Sequence, residues 1–549
     1  MSDSPRATAA NGLTKIVVGL AALVFLAGAC SSGNDTTTSE DATEQVNRGA
    51  PEDEGPPQDG GTLRVALGAE IDGLNPIQAR WSLEGNAIGS SIYDGLMTFD
   101  EDRNLVPKLA ESVTPNADGT VWTIALRPDI TFQDGTPFDA EAVKANLEAR
   151  KAIPISGDSL RPVDTVTVVD PLTVEVSMSS PWFGFEYLLA AQTGYMVAPA
   201  MIGAPDSMQM AIGTGPFRLD GTWSPGTPVN VARNENYWGE RAHLDGIQFR
   251  ALVDQISRTA ALESGDVDLI LTQDPAAVTA FRDKDGFIQV EDFAATEAFV
   301  MLNLSVPPFD NIHARRALAY ATDRNALNQA VGGGIQQDAD QPFTPSEQYH
   351  VEDSGYPSYD PDLAAQEVQA YKDDTGQSTL SFTLKTTSAT QQKAEAELLQ
   401  AQWSEVGIDA SLDQTEQATF LANIFVSDFQ AAMFQNFGWV NPENNYIFWH
   451  SSYAKQPGQT GGINFGQIRS TELDDALDGA RSTSDLEQRV EQQKNAVRAM
   501  NAEVPYIWMY HTVYALAAND NVGGLSAPQG LGFARQDNKP WWPQLWLKQ

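Results

Sequence analysis

The sequence predicts an α/β protein in which helices cover a largely parallel sheet. Three observations point there. Leu63, Val65 and Leu67 alternate with Thr62, Arg64 and Ala66, the period-2 signature of a half-buried strand. From Ala298 onward, strand-like runs alternate with helix-like ones. Leu380, Phe382 and Leu384 alternate, Leu399, Trp403 and Val406 share a helical face, and Ile408, Ala410 and Leu412 alternate again. Strand, helix, strand at this spacing suggests a parallel sheet with helical crossovers. The chain has 549 residues, 42% of them apolar, enough for a large core and, as a prior, two to four domains of roughly 150 residues.

The N-terminus reads as a leader. Lys15 precedes an apolar run from Ile16 to Leu26, followed by Ala27, Gly28, Ala29, Cys30, Ser31, Ser32 and Gly33. A basic start, a short apolar core and small residues describe a secretory signal peptide. The run is about 11 residues long, too short for a bilayer that needs roughly 20. Cys30 is the single cysteine of the chain. Its setting resembles a bacterial lipoprotein signal, in which cleavage leaves the cysteine first and lipid is attached to it. That pattern favours leucine three residues before the cysteine, and Ala27 stands there, with Leu26 one step back. The alternative is an ordinary signal cut after Ala29, with Cys30 as an unmodified thiol. Residues 1–29 are therefore expected to be the signal. Residues 30–59, rich in Ser, Thr, Asp and Glu and ending near Pro56-Pro57, are expected to be a disordered acidic linker, because so few apolar residues cannot offset chain entropy.

The folded part is expected from Gly60-Gly61. Leu83 to Leu96 reads as a helix. Asp118-Gly119 is a hairpin signal, and Trp122, Ile124 and Leu126 alternate as a strand. Asp139 can cap a helix carrying Val143 and Leu147. Val166 to Val176 forms a hairpin across Asp170-Pro171. Ser257 to Glu263 should be helical up to Gly265, with a buried strand from Val267 to Leu271. Phe299 to Leu304 reads as a strand, and a helix is expected from about Ala314 to Val331. Asp360-Pro361 is a cap with proline at the first helical position, and Gly376 can end that helix. Leu473 to Ala480 and Leu486 to Met500 look helical, and Val504 to Tyr510 reads as a strand.

Composition excludes several functions. A net charge of −39 argues against nucleic-acid binding, which needs clustered Lys and Arg, and against adsorption to an anionic bilayer. One cysteine allows neither an intramolecular disulfide nor a thiolate zinc site. There is no G-x-S-x-G elbow, no phosphate loop and no H-E-x-x-H. The five histidines (His243, His313, His350, His450 and His511) include no i, i+4 pair. No metal site, no cofactor and no enzyme activity are expected. A secreted hydrolase with unrecognised residues and a structural envelope protein stay open as remote alternatives.

An ordered set of short motifs carries a family resemblance over most of the chain after residue 60. They are Gly60-Gly61-Thr62-Leu63, Leu74-Asn75-Pro76, Tyr93-Asp94-Gly95-Leu96, the stretch from Leu109-Ala110-Glu111 to Asp134-Gly135, Gly213-Thr214-Gly215-Pro216-Phe217, Asn236-Tyr237-Trp238, Arg315-Arg316-Ala317-Leu318 and Ala321-Thr322-Asp323-Arg324. The chain resembles the extracellular solute-binding proteins of ABC importers, within the dipeptide/oligopeptide/nickel-binding family (family 5). The resemblance implies a two-lobed, type II, cluster C periplasmic-binding-protein-like fold. It implies an inserted domain over 97–211, a first lobe from 60–96, 212–298 and 507–549, and a second lobe over 299–506. Two hinge strands would cross near Phe299–Asn303 and Ile507–His511. Solute, an oligopeptide first of all, would bind between the lobes. The protein would act as an exported monomer, lipid-anchored to the outer face of the cell membrane, and deliver solute to membrane permease subunits.

The segment Asn436-Phe437-Gly438-Trp439-Val440-Asn441-Pro442 is the first cleft candidate. Trp439 and Phe437 offer apolar walls, and Asn436 and Asn441 offer donors and acceptors. Their alternative is ordinary aromatic packing. Peptide-binding relatives often place an aspartate in this segment to pair with the ligand's amino group, and none stands here. An oligosaccharide, an opine or a metal chelate is the alternative solute. Trp81, Phe343 and Asn464 are further candidates by their place in the family pattern.

Overall fold

The strand Thr62–Leu67 lies parallel to Gly246–Ala251 on one side and to Leu269–Thr272 on the other. Its alternation is why: Leu63 and Val65 are fully buried and face Ile247 and Phe249 across the ladder. The computed structural model describes residues 45–49, 54–100, 104–153, 156–437, 442–459, 461–525 and 542–548. The expected signal and Cys30 fall outside them.

Among the described residues a twelve-stranded mixed sheet runs through the molecule. Its second half repeats the parallel arrangement, with Leu380–Thr387 between Ile408–Thr415 and Ala431–Phe437. Helix Thr390–Glu405 is the crossover between the first two, and it buries Leu399 and Trp403 against the sheet. The two halves have separate cores, one around Leu63, Phe249 and Leu271, the other around Leu384, Trp403 and Ile507. The fold is therefore two-lobed.

Two long antiparallel strands, Phe287–Leu302 and Tyr506–Asn519, join the lobes. Phe287 to Asp292 pairs with Asn519 to Tyr514, beside Leu269–Thr272 of the first lobe. Thr296 to Met301 pairs with Thr512 to Tyr506, beside Ala431–Phe437 of the second. The crossing thus lies at the register break between Asp292 and Thr296. This corrects the expected crossings at Phe299–Asn303 and Ile507–His511, which sit inside the second lobe. Tyr506–Asn519 is a nearly continuous apolar run, so its composition does not mark the passage. A bulge that bends the strand marks it instead.

Residues 110–178 hold a separate four-stranded antiparallel sheet, in the order Ala110–Pro115, Val121–Leu126, Thr173–Met178, Val163–Asp170. Helix Ala140–Lys151 packs on it through Val143 and Leu147. Asp139 caps that helix by accepting from Ala142 N at 2.9 Å.

Two expectations are revised. The helix expected from Ala314 to Val331 is two helices, Ile312–Ala321 and Arg324–Val331. Asp323 stands between them and caps the second, accepting from Ala326 N at 2.9 Å. A polar cap restarts a helix without disturbing the apolar period, so the pattern reads through the break. The second revision concerns the linker. Gln45–Arg48 forms a strand paired with Gln289–Asp292, the part of the crossing strand that Ala431–Phe437 leaves uncovered. Glu54 Oε2 accepts from Gly524 N at 2.6 Å, and Asp59 accepts from Arg241 at 3.0 Å. These described residues of 30–59 are docked on the body. Strand addition uses backbone groups that every residue carries, so composition could not reveal it. No helix among the described residues is long and apolar enough to cross a membrane.

Candidate functional site

A cavity of about 790 Å³ lies between the lobes, over the crossing strands. Its floor is polar. Gln435 Nε2 lies 2.6 Å from Thr296 Oγ1, 3.2 Å from Thr512 Oγ1 and 2.8 Å from Gln273 Oε1. One amide thereby ties both crossing strands and the first lobe together beneath the cavity.

The first lobe supplies Trp81, just ahead of helix Leu83–Ile92. Its indole Nε1 donates to Gly73 O at 2.8 Å. The ring lies flat on that helix because Gly85 and Gly89 face it. A Cβ at either position would stand 2.5 or 2.3 Å from ring atoms, closer than any side chain can sit. The second lobe supplies an aromatic wall centred on Phe465. Its ring centroid is 5.5, 6.0 and 6.1 Å from those of Phe425, Phe448 and Phe434. Exposed Arg80 of the first lobe stacks over Phe425 at 5.4 Å.

Two carboxylates line the cavity, and no lysine, arginine or histidine does among the described residues. Glu84 accepts from Ser82 Oγ at 2.5 Å, and Arg258 lies close enough for the carboxylate to favour its charged form. Glu395, on helix Thr390–Glu405, is 4% exposed. It accepts from the Tyr510 hydroxyl and, at 3.0 Å, from Gln391 Nε2. Burial raises its pKa, and these two donors pull it back.

Of the residues expected at the site, Trp81 and Asn436 line the cavity. Asn436 Nδ2 also donates to Asn445 Oδ1 at 3.4 Å. Phe437 ends its strand, but its side chain, like Trp439 and Asn441, lies outside the described residues. Two expectations are corrected. Phe343 is 2% exposed and packs with Tyr349, Val351 and Val497 in a small core away from the cavity. Asn464 is fully buried and fixes its own loop, donating to Ile468 O and accepting from Ile468 N, both at 2.9 Å. Its neighbours Ile463 and Phe465 line the cavity instead. A buried amide satisfied by nearby backbone has nothing left for a ligand.

Sequence reasoning missed Glu395 and the aromatic wall. Both left a trace. Glu395 stands four residues before Leu399 and eight before Trp403, so it lies on the buried face of their helix, where a carboxylate is anomalous. Helix Gln417–Phe425 is a nine-residue, largely apolar segment that brings Phe420 and Phe425 to the cavity.

Residues 104–458 match the family described as bacterial extracellular solute-binding proteins, family 5. The glutathione-binding protein GsiB of Escherichia coli is 28% identical over 485 residues, which is 86% of this chain and 93% of GsiB. The oligopeptide-binding protein AppA of Bacillus subtilis, solved with a nonapeptide, superposes with a TM-score of 0.77 at 21% identity, covering 90% of this chain and 100% of AppA. AgaA of A. tumefaciens, solved with agropinic acid, does so with a TM-score of 0.78 at 22% identity, covering 89% of this chain and 99% of AgaA.

Two lobes, paired crossing strands and a cavity between them define a cleft receptor of the type II periplasmic-binding kind. The chain belongs to the bacterial extracellular solute-binding proteins, family 5. Its role is that of the family, extracellular solute binding.

Proposed function

We propose that this protein captures a peptide-like solute in the interlobe cavity and hands it to permease subunits in the membrane. The observation that carries this reading is the lining. Gln273, Gln391, Gln392, Gln417, Gln435 and Asn436 line it with side-chain amides, the same chemical group as a peptide backbone, and some of their donors are already used within the protein. The volume, about 790 Å³, falls in the range of roughly 300–1,000 Å³ usual for small-molecule sites. The names of GsiB and AppA lend it weight.

In this reading the lobes close over the solute by bending at the Asp292–Thr296 break. The three separate cores support a division into a first lobe, a second lobe and an inserted domain over 97–211. Trp439 and Asn441 stay candidates for contact with the solute in this reading. The protein is exported as a monomer and tethered to the outer face of the membrane by lipid on Cys30, which raises its effective concentration near the permease.

A second reading keeps the role and makes the solute an oligosaccharide, opine or metal chelate. The absence of an aspartate between Asn436 and Pro442 favours it. Thermal denaturation with di- to pentapeptide mixtures and with glycan mixtures separates the two. A peptide-dependent rise in midpoint is expected. A rise with glycans alone, at saturating peptide, would refute the peptide assignment.

A further inference from the structure

Four other buried carboxylates among the described residues are answered by cations. Asp268 meets Arg64 at 2.5 Å, Glu291 meets Arg282 at 2.6 Å, Glu443 meets Arg481 at 2.9 Å, and Asp94 meets Lys108 at 3.8 Å. Glu395 is as deeply buried, at 4% exposure, yet its two partners are a phenol and an amide. No described lysine, arginine or histidine forms an ion pair with it. An unpaired buried carboxylate is costly, and it is either held neutral or paired. Glu395 differs from the paired four in one further respect: it lines the solute cavity. A counter-ion can therefore arrive with the solute.

We infer that the solute is an amphipathic cation, with an ammonium or guanidinium group seated at Glu395 and an apolar part laid between Trp81 and the Phe425–Phe465 wall. This rests on the receptor reading above and narrows it. The other charged lining group, Glu84, is also an acid. A solute of net negative charge meets two carboxylates and no described cation on the cavity wall, and the −39 charge of the chain repels it before entry. Glutathione, with two carboxylates and one ammonium, is such a solute. The site accordingly selects against the compound for which GsiB is named. The acid that sequence reasoning sought between Asn436 and Pro442 comes instead from a helix of the second lobe.

Isothermal titration of the full chain in detergent with three probes tests this. They are phenylalanyl-leucinamide (a cation), its N-acetylated twin (neutral) and glutathione (an anion). The cation should bind at least about tenfold more tightly than its twin, and glutathione should give no measurable heat. Glu395→Gln should narrow the gap between the cation and its twin to less than about twofold. Should that variant fail to fold, the comparison among probes on the unaltered protein still decides, because there the charge is changed on the ligand. Equal affinity for cation and twin, or tighter binding of glutathione, would overturn the inference and leave the receptor reading intact. No heat from any probe, together with no response to peptide or glycan mixtures, would overturn both.

Discussion

Arg481 Nε donates to Glu443 Oε2 at 2.9 Å, with the two side chains 8% and 3% exposed. The same oxygen accepts from Trp182 Nε1 at 2.7 Å, and the Arg481 guanidinium lies over the rings of Tyr446 and Trp182 at 3.3 and 4.5 Å. Trp182 belongs to the core of the inserted region, whereas Tyr446 belongs to that of the second lobe. This buried pair therefore clasps the one to the other, helped by Arg161 Nη1 donating to Ser452 O at 3.0 Å.

Removing one partner leaves the other charged and unanswered. Glu443→Ala should cost about 3–5 kcal/mol of stability, read as a lower urea midpoint. Replacing both partners, Glu443→Gln with Arg481→Met, should recover more than half of the loss, since apolar replacement of a buried pair is often neutral. An unchanged midpoint for Glu443→Ala would mean that the pair contributes nothing to holding the inserted region.

The aromatic walls should be separable from stability. Gly89→Ala places a Cβ 2.3 Å from the Trp81 ring and must displace the indole. Alanine is the better helix former by about 1 kcal/mol, so helicity by circular dichroism should hold while solute affinity drops about tenfold, roughly 1.4 kcal/mol. Trp439→Ala should likewise weaken binding without unfolding. Unchanged affinity in either variant would remove that tryptophan from the site.

Glu395 gives a pH signature. Burial raises its pKa above the ordinary 4.5, so the folded state holds this proton more tightly than the unfolded chain. The stability it contributes is present below pH 4.5 and is lost as pH rises through the folded value. Solute-free protein should lose midpoint over that interval more steeply than Glu395→Gln. Identical slopes would show that the buried acid does not titrate differently in the two states.

The tether rests on Cys30. Cells fed a fatty-acid analogue should label the native chain, and Cys30→Ala should abolish the label and release protein to the medium. A Cys30→Ala chain that still carried label would place the lipid elsewhere and overturn the assignment to Cys30.

Much of the fold was legible because its signals are local. Asp139 and Asp360 cap the helices expected of them, and Gly376 stops its helix at φ 72°. The period-2 runs at Leu63 and Leu384 became parallel strands with both residues fully buried. What stayed hidden depends on distant partners. The crossing at Asp292–Thr296 is a register relation between strands more than 200 residues apart. Gln45–Arg48 pairs as a strand with Gln289–Asp292, a backbone relation that local composition does not mark. At the site, family position located Trp81 and Asn436 but not the direction of Phe343 or Asn464, since a neighbourhood does not specify which way a side chain points. Glu395 was visible only as an acid in register with Leu399 and Trp403.

The central claim, that the interlobe cavity holds a small solute, is tested most directly by native mass spectrometry of the protein purified from its own cells under non-denaturing conditions. One bound small molecule per chain is expected, released on unfolding and carrying a basic group, and its occupancy should fall in Gly89→Ala. A bare chain mass that no peptide, glycan or cell extract can shift would contradict the account.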